Sequence, residues 1–162
     1  MSEDGRLKLD RQRWTHMALH VSDIDKSIAW YERFTHLTLL DKREDVDSHA
    51  AWLADRRETS SPFILVLGQF LEGKDPFAPA DHPPIGPFSH IGIETMSREE
   101  VDKAAALGKE DGCLAIGPLE RPAPVGYVCF LKDPDGNTVE FSYGQGVYDM
   151  FAERWGFEAP AE

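Results

Sequence analysis

Two histidines hold equivalent positions in two similar stretches of this chain. His16 lies in WTHMALHVSDIDKSIAWYERF (14–34) and His90 in FSHIGIETMSREEVDKAAALG (88–108). Each stretch is typical of a strand that carries the histidine near its start and passes through a polar cap into an amphipathic helix. A duplicated strand and helix predict that the two strands meet about a pseudo-twofold axis. The two imidazoles, which can bind metals or transfer protons, are then expected in one cleft.

A carboxylate belongs to the same side of the predicted sheet. In the last strand of the second half, the apolar residues Val139, Phe141 and Tyr143 alternate with polar residues that include Glu140. The strands at both histidines alternate in the same way, which leaves small or polar residues on the histidine face. Such a face is suited to lining a cavity rather than packing a core. We therefore expect Glu140 on the cavity side.

Each half of the chain shows the element order βαβββ. In the first half, we predict a strand at 15–21, a helix capped by Ser22 or Asp23, and strands near 37–43, 48–54 and 63–69. In the second half, we predict a strand at 89–95, a helix that a Ser97/Glu100 capping box opens and Gly108 ends, and strands near 114–118, 126–132 and 137–143. The expected fold class is α+β, with two βαβββ modules forming a cupped eight-stranded mixed sheet and helices on its outer face.

The module boundaries follow from composition. We place the first module at 14–70, the second at 88–145, and a linker at 71–87, which holds five prolines. The tail, 146–162, holds apolar residues at helical spacing and is expected to add a short packing helix: Val147, Met150, Phe151 and Trp155.

Charge and hydropathy exclude several functions. The chain has 17 basic and 29 acidic residues and a net charge of −12, which disfavours nucleic acid and anionic membranes as partners. The longest apolar run, FILVL, is far shorter than the ~20 residues that span a bilayer, so we expect a soluble cytoplasmic protein. Cys113 and Cys129 lack a CxxC spacing and are interpreted as small buried hydrophobes without a disulfide.

Three segments resemble the vicinal oxygen chelate superfamily, which includes glyoxalases, extradiol dioxygenases and bleomycin-binding proteins. They are HMALHVSDIDKSIAWYERF from His16, SHIGIE around His90, and FLKDPDGNTVEF, which contains Glu140. The resemblance covers about 14–145. It implies one divalent metal ion (Fe, Mn, Ni, Zn or Co) with His16, His90 and Glu140 as its ligands. This set leaves coordination positions open for substrate oxygens. The alternative is that backbone groups satisfy both histidines and that Glu140 is a partly exposed strand residue.

Departures from the family pattern bear on the reaction. Glyoxalases add a fourth ligand, Glu or Gln, at the position mirroring Glu140, where alignment of the halves places Ile64 or Leu65. Extradiol dioxygenases use three ligands, and their ending resembles VEFSYG. They also carry a histidine where this chain has ETSSP (58–62), including Thr59, Ser60 and Ser61, and a tyrosine where Phe130 stands.

The resemblance implies a metal-dependent enzyme acting on a small molecule that chelates the metal through adjacent oxygens. Dioxygenase-like ring cleavage is favoured; the alternatives are a glyoxalase-like lyase or isomerase and a non-catalytic protein that binds a drug or natural product. His20 is the candidate catalytic base, and Glu94, Tyr127 and Tyr143 are candidate substrate-binding residues, the two tyrosines with undetermined facing. We also expect a homodimer, whose modules pair within one chain or are exchanged between two.

Overall fold

The chain folds into two units, and each contains the βαβββ order of elements that the sequence predicts. The structure, a computed structural model, describes residues 12–58 and 62–156. Its first unit ends at Ala78 and its second begins at Pro79, with the short segment Arg33–Thr35 also assigned to the second. The division falls inside the segment predicted as a linker.

The first unit is a four-stranded mixed sheet with one helix. Its elements are β1 (His16–His20), α1 (Ile24–Phe34), β2 (Thr38–Glu44), β3 (Ser48–Ala54) and β4 (Ile64–Phe70). The strand order is β1-β4-β3-β2, with β1 parallel to β4 and the other pairs antiparallel. Asp23, rather than Ser22, caps α1, since the Lys26 amide donates to Asp23 Oδ1 at 3.1 Å. The Ile24 amide donates to Gln69 Oε1 at 3.0 Å, which ties the start of α1 to the end of β4.

The second unit repeats this arrangement and adds a helix. Its elements are β5 (Ile91–Glu94), α2 (Arg98–Glu110), β6 (Leu114–Arg121), β7 (Gly126–Lys132), β8 (Thr138–Tyr143) and α3 (Val147–Trp155). The strand order is β5-β8-β7-β6, again with one parallel pair, β5 with β8. The fold class is therefore confirmed as α+β with two βαβββ modules, and the eight strands form two four-stranded mixed sheets.

Strand alternation places most buried apolar side chains on one face of each sheet, and in β8 the polar residues of the other face, Thr138, Glu140 and Ser142, are buried as well. In the first unit the buried residues on and beside the strands are Leu19, Val21, Ala51, Leu53, Leu65 and Leu67. The apolar stripe of α1 is buried too, namely Ile24, Ile28, Tyr31 and Phe34. In the second unit the buried set joins α2 to the sheet: Val101, Ala105, Cys129, Leu131, Val139 and Phe141. Each buried aliphatic side chain of this size contributes roughly 1.5–3 kcal/mol relative to an exposed one.

Helix α2 continues past the glycine at which the sequence predicted its end. It runs to Glu110, and Asp111 and Gly112 terminate it, with Gly112 at φ +73°. Gly108 is buried inside the helix, where an added Cβ would lie 2.9 Å from Leu131 Cδ2. This glycine thus allows close approach between helix and sheet rather than marking a C-terminus.

Helix α3 forms where the tail was predicted to be helical, but it has no buried residue among those the structure describes. The rings of Phe151 and Trp155 meet edge to face with centroids 4.5 Å apart, and both side chains remain exposed. The expected packing of this helix is therefore not observed, and residues 157–162 lie outside the described part. None of the helices in that part has the length and apolar character that crossing a membrane requires.

The close approach at Gly108 can be tested with a volume change. Gly108→Val is expected to lower the free energy of unfolding by about 1–3 kcal/mol, because the branched side chain overlaps the buried Leu131. Ala106→Val, at an exposed position of the same helix, is expected to cost roughly 0.5 kcal/mol, the difference in helix propensity. Urea unfolding measures both, and equal losses would contradict the packing role of Gly108.

Candidate functional site

His90 and Glu140 meet on one face of the second sheet. His90 directly precedes β5, and Glu140 pairs with Gly92 of β5 and with Phe130 of β7. Since residues opposite one another in a sheet share a face, this register brings the imidazole and the carboxylate to the same side. His90 Nε2 lies 3.4 Å from Glu140 Oε2, and the side chains are 32% and 5% exposed. A buried carboxylate thus faces an imidazole open to a ligand.

The second ring nitrogen of His90 defines what this pair can bind. Nδ1 of His90 lies 2.7 Å from the Phe88 carbonyl oxygen. Because a carbonyl oxygen only accepts, Nδ1 carries the proton, and in the neutral ring Nε2 presents a lone pair toward Glu140 Oε2. Two lone pairs that face each other require a cation or a proton between them. Metal-binding histidines show this same arrangement, with the other ring nitrogen donating to a carbonyl or carboxylate.

Glu140 has a further partner that the sequence analysis missed. Gln145 Nε2 donates to Glu140 Oε1 at 2.6 Å. Gln145 lies beyond the end of β8 between Gly144 and Gly146, so strand alternation did not include it. The glycine on each side, which marks a tight reversal of the chain, is the signal that could have identified it.

Glu94 lies on the same face of the second sheet as Glu140, as predicted. It is paired with Ser142 in the parallel β5 and β8 register. Its Oε1 accepts a hydrogen bond from the Gln145 main-chain N–H at 3.2 Å. On the other side of the pair, the Phe130 ring is nearly perpendicular to the His90 ring, with centroids 5.7 Å apart. The pair therefore stands between an aromatic wall and a second carboxylate.

Tyr127 and Tyr143 lie on the opposite face. Tyr127 hydroxyl donates to Asp102 Oδ1 of α2 at 2.7 Å, and this bond raises the pKa of the tyrosine. The Arg98 guanidinium lies 4.0 Å from the centroid of the same ring. Tyr143 pairs directly with Tyr127 and so shares its face. Each tyrosine is three residues away along its strand from Phe130 or Glu140, so both lie on the face of the sheet that α2 covers. They are therefore not part of the candidate site.

The histidines of the first unit share the face of its sheet that is not buried. His16 and His20 are exposed, with Ala18 between them. His16 Nδ1 lies 2.9 Å from the Thr15 hydroxyl, which can accept a hydrogen bond from Nδ1–H or donate one to Nδ1, depending on the tautomer. The His20 ring stacks on Phe70 with centroids 5.6 Å apart and an angle of 24° between the planes.

The strand register identifies the residue that mirrors Glu140. Ala18 pairs with Val66 in the first unit as Gly92 pairs with Glu140 in the second. The mirrored position is therefore Val66, and the expectation of Ile64 or Leu65 was wrong by one or two residues. Leu65 is buried on the other face of the sheet. Val66 has no donor atom either, so a fourth protein ligand is still missing from this position.

The structure thus brings together two of the three predicted ligands. His90 and Glu140 belong to the second unit and His16 to the first. Across residues 12–58 and 62–156, no cluster of three or more His, Cys, Asp or Glu side chains has a spacing that could hold a metal ion. The three-residue ligand set is therefore not completed within one unit. Thr59, Ser60 and Ser61, at the position of the dioxygenase histidine, lie outside the described residues.

Cys129 takes no part in this face. Its thiol is buried against α2, with Sγ 3.6 Å from the Val101 carbonyl oxygen, and burial raises its pKa to about 12. A thiol of that pKa stays protonated at neutral pH and is a poor metal ligand. The donor atoms available at the site are therefore nitrogen and oxygen.

Other proteins resemble this chain in sequence or structure over more than four fifths of its length. An uncharacterized protein of Pseudomonas aeruginosa is 40% identical over 131 residues, which are 81% of this chain and 88% of the relative. A putative lactoylglutathione lyase of Brassica oleracea is 28% identical over 136 residues, which are 82% of this chain but 45% of that protein. The trypanothione-dependent glyoxalase I of Leishmania major matches in structure with a TM-score of 0.65 at 20% identity, over 88% of this chain and 94% of that chain.

A family model covers most of the chain. The model described as the Glyoxalase/Bleomycin resistance protein/Dioxygenase superfamily matches residues 13–141. That range contains both βαβββ units through most of β8, and the histidines and glutamate discussed above. Together with the repeated strand order, it shows that this chain belongs to the Glyoxalase/Bleomycin resistance protein/Dioxygenase superfamily.

Proposed function

We propose that this protein is a metal-dependent enzyme whose small-molecule substrate binds the metal through two adjacent oxygens. The observation that carries the proposal is the 3.4 Å pair of His90 Nε2 and Glu140 Oε2, in which the other ring nitrogen is already bonded to a carbonyl. His16 is the third ligand of the proposal. Its Nδ1 lies within hydrogen-bond distance of the Thr15 hydroxyl, which leaves Nε2 for the ion when the hydroxyl accepts.

The donor set fits a divalent transition metal. Imidazole nitrogens with one carboxylate suit Fe, Mn, Co, Ni and Zn, whereas Mg and Ca prefer oxygen ligands throughout. The Glu140 side chain is 5% exposed, and burying a carboxylate costs several kcal/mol unless it is paired and hydrogen-bonded. One bond from Gln145 compensates part of that cost. A bound cation at Oε2 compensates the rest.

When bound, such an ion supplies a Lewis acid that polarises the two substrate oxygens. The residues of the second unit leave room beside the ligand pair, since a Cβ added at Gly92 would meet no atom within 4 Å. Phe130 contributes an apolar wall that limits water on one side. Glu94 is the proposed substrate-binding group of this unit. In the first unit, His20 is the proposed base, and Phe70 fixes the plane of its ring.

Two reactions are candidates for this centre. Ring cleavage of an aromatic diol, as in the extradiol dioxygenases that the sequence resembles, is consistent with three protein ligands and with Val66 at the mirrored position. A glyoxalase-like lyase or isomerase is the second candidate, supported by the name of the Brassica relative. Val66 weighs against it, because glyoxalases place a Glu or Gln ligand there.

The metal centre is tested first by metal content. We expect protein purified without chelator to hold Fe, Mn, Co, Ni or Zn at up to one ion per chain. His90→Ala and Glu140→Gln each remove a ligand, so each should weaken Co(II) affinity by more than ~100-fold, a larger loss than that from an outer-shell change. Elemental analysis and a competition titration with a chromogenic chelator measure both. His36→Ala, an exposed histidine beyond the end of α1, is the matched control and should retain wild-type affinity.

Absence of metal binding would contradict the proposal. If no transition metal is retained or rebinds tightly, the enzyme proposal fails. The protein is then better described as a binding protein for a drug or natural product, which ligand-dependent thermal shifts would reveal.

The reaction is tested with reconstituted protein. Fe(II)-loaded enzyme should consume dioxygen with a catechol panel, and the glyoxalase alternative predicts instead the disappearance of a hemithioacetal with Ni(II) or Zn(II). His20→Ala is expected to lower kcat by ~10²–10⁴-fold while metal content stays unchanged, because removing a positioned base affects proton transfer. A His20→Ala variant with wild-type kcat would remove this residue from the proposal.

A homodimer is part of the proposal, and complementation tests how its sites are built. Light scattering should give about twice 18.2 kDa. If modules are exchanged between chains, co-expressed His16→Ala and His90→Ala chains form mixed dimers with one intact ligand set, and metal binding returns in part. If each site lies within one chain, mixed dimers bind no metal. A monomer would contradict the exchanged arrangement.

A further inference from the structure

Gln145 lies outside the predicted ligand set but contacts it directly. Its Nε2 donates to Glu140 Oε1 at 2.6 Å, from a position four residues past the segment that the family model matches. We propose that Gln145 is a positioning residue, which occupies Oε1 of Glu140 and thereby directs Oε2 toward the metal beside His90 Nε2. This inference rests on the metal centre proposed above.

The local backbone holds Gln145 in place. Gly144 and Gly146 flank it at φ +79° and +65°, a left-handed region that favours glycine and reverses the chain after β8. The Gln145 main-chain N–H donates to Glu94 Oε1 at 3.2 Å. Immediately afterwards α3 begins, with the Met150 amide bonded to the Gly146 carbonyl at 3.0 Å. The side-chain amide is therefore directed back onto Glu140 by a turn that is bonded at two points.

The chemistry of the amide makes the choice of oxygen specific. Nε2 of a glutamine only donates, so it bonds a carboxyl oxygen and does not itself act as a metal ligand. Holding Oε1 fixes the carboxylate plane and leaves the 3.4 Å oxygen to the ion. Outer-shell partners of this kind orient ligands, and losing one typically costs about 10–100-fold in metal affinity. The residues on both sides of Gln145 are glycines, which have no side chain that could take over.

The test replaces the donor while keeping the side chain's length. Gln145→Met should weaken Co(II) affinity by about 10–100-fold and alter the visible absorption of bound Co(II), since the carboxylate is no longer held in one orientation. The metal-free variant should unfold at the wild-type temperature. Gln69→Met is the matched control, because Gln69 bonds the start of α1 and should leave metal affinity unchanged.

The outcomes separate this inference from the proposal beneath it. If Glu140→Gln and His90→Ala leave metal affinity unchanged, the metal centre itself is refuted. If those two variants lose metal but Gln145→Met binds Co(II) with wild-type affinity and spectrum, the positioning role is overturned and the metal centre stands. A Gln145→Met variant that lowers the unfolding temperature of the metal-free protein, with an unchanged Co(II) spectrum, shows a structural role and also overturns it.

Discussion

A buried carboxylate facing the lone pair of an imidazole is the constraint on which this protein's site depends. Desolvating Glu140 costs free energy, and the Phe88 carbonyl oxygen directs the proton of the neutral His90 ring to Nδ1, away from the carboxylate. The arrangement is stable only when positive charge lies between Nε2 and Oε2. A proton on Nε2 supplies that charge as an ion pair with the carboxylate, and the metal ion of the proposed function would supply it with both atoms as ligands.

The sheet produces this contact through register. Parallel pairing of β5 with β8 sets Gly92 opposite Glu140, and the period of two sends Val139 and Phe141 to the face that α2 covers. A slip of one residue would exchange these faces, placing the carboxylate under a helix and two core side chains on the histidine face. Packing of α2 on the sheet, with Gly108 allowing close approach to Leu131, thereby also fixes the side on which Glu140 emerges.

Features that depend on strand alternation and on the duplication could be predicted from the sequence. Residue positions that depend on strand register or on the conformation of a turn could not. The elements and the faces of His90 and Glu94 followed from period and repeat. The residue at the mirrored position did not, because a gap between the halves hides the register that places Val66 there. The contact of Gln145 with Glu140 could not be predicted from the sequence for a different reason. Gln145 lies in a turn, where side-chain direction depends on backbone angles that no period encodes.

The duplication has been kept at the histidine positions and lost at the carboxylate position. Both histidines have Nδ1 bonded by a residue within two positions, Thr15 for His16 and Phe88 for His90, although only the Phe88 carbonyl fixes Nδ1 as the donor. The carboxylate position, by contrast, holds Glu140 in one half and Val66 in the other. In the proposed metal centre the protein would therefore supply three ligands, with none from the position of Val66. A transition metal held in this way would keep coordination positions open, which is why the proposed substrate binds through two oxygens at once.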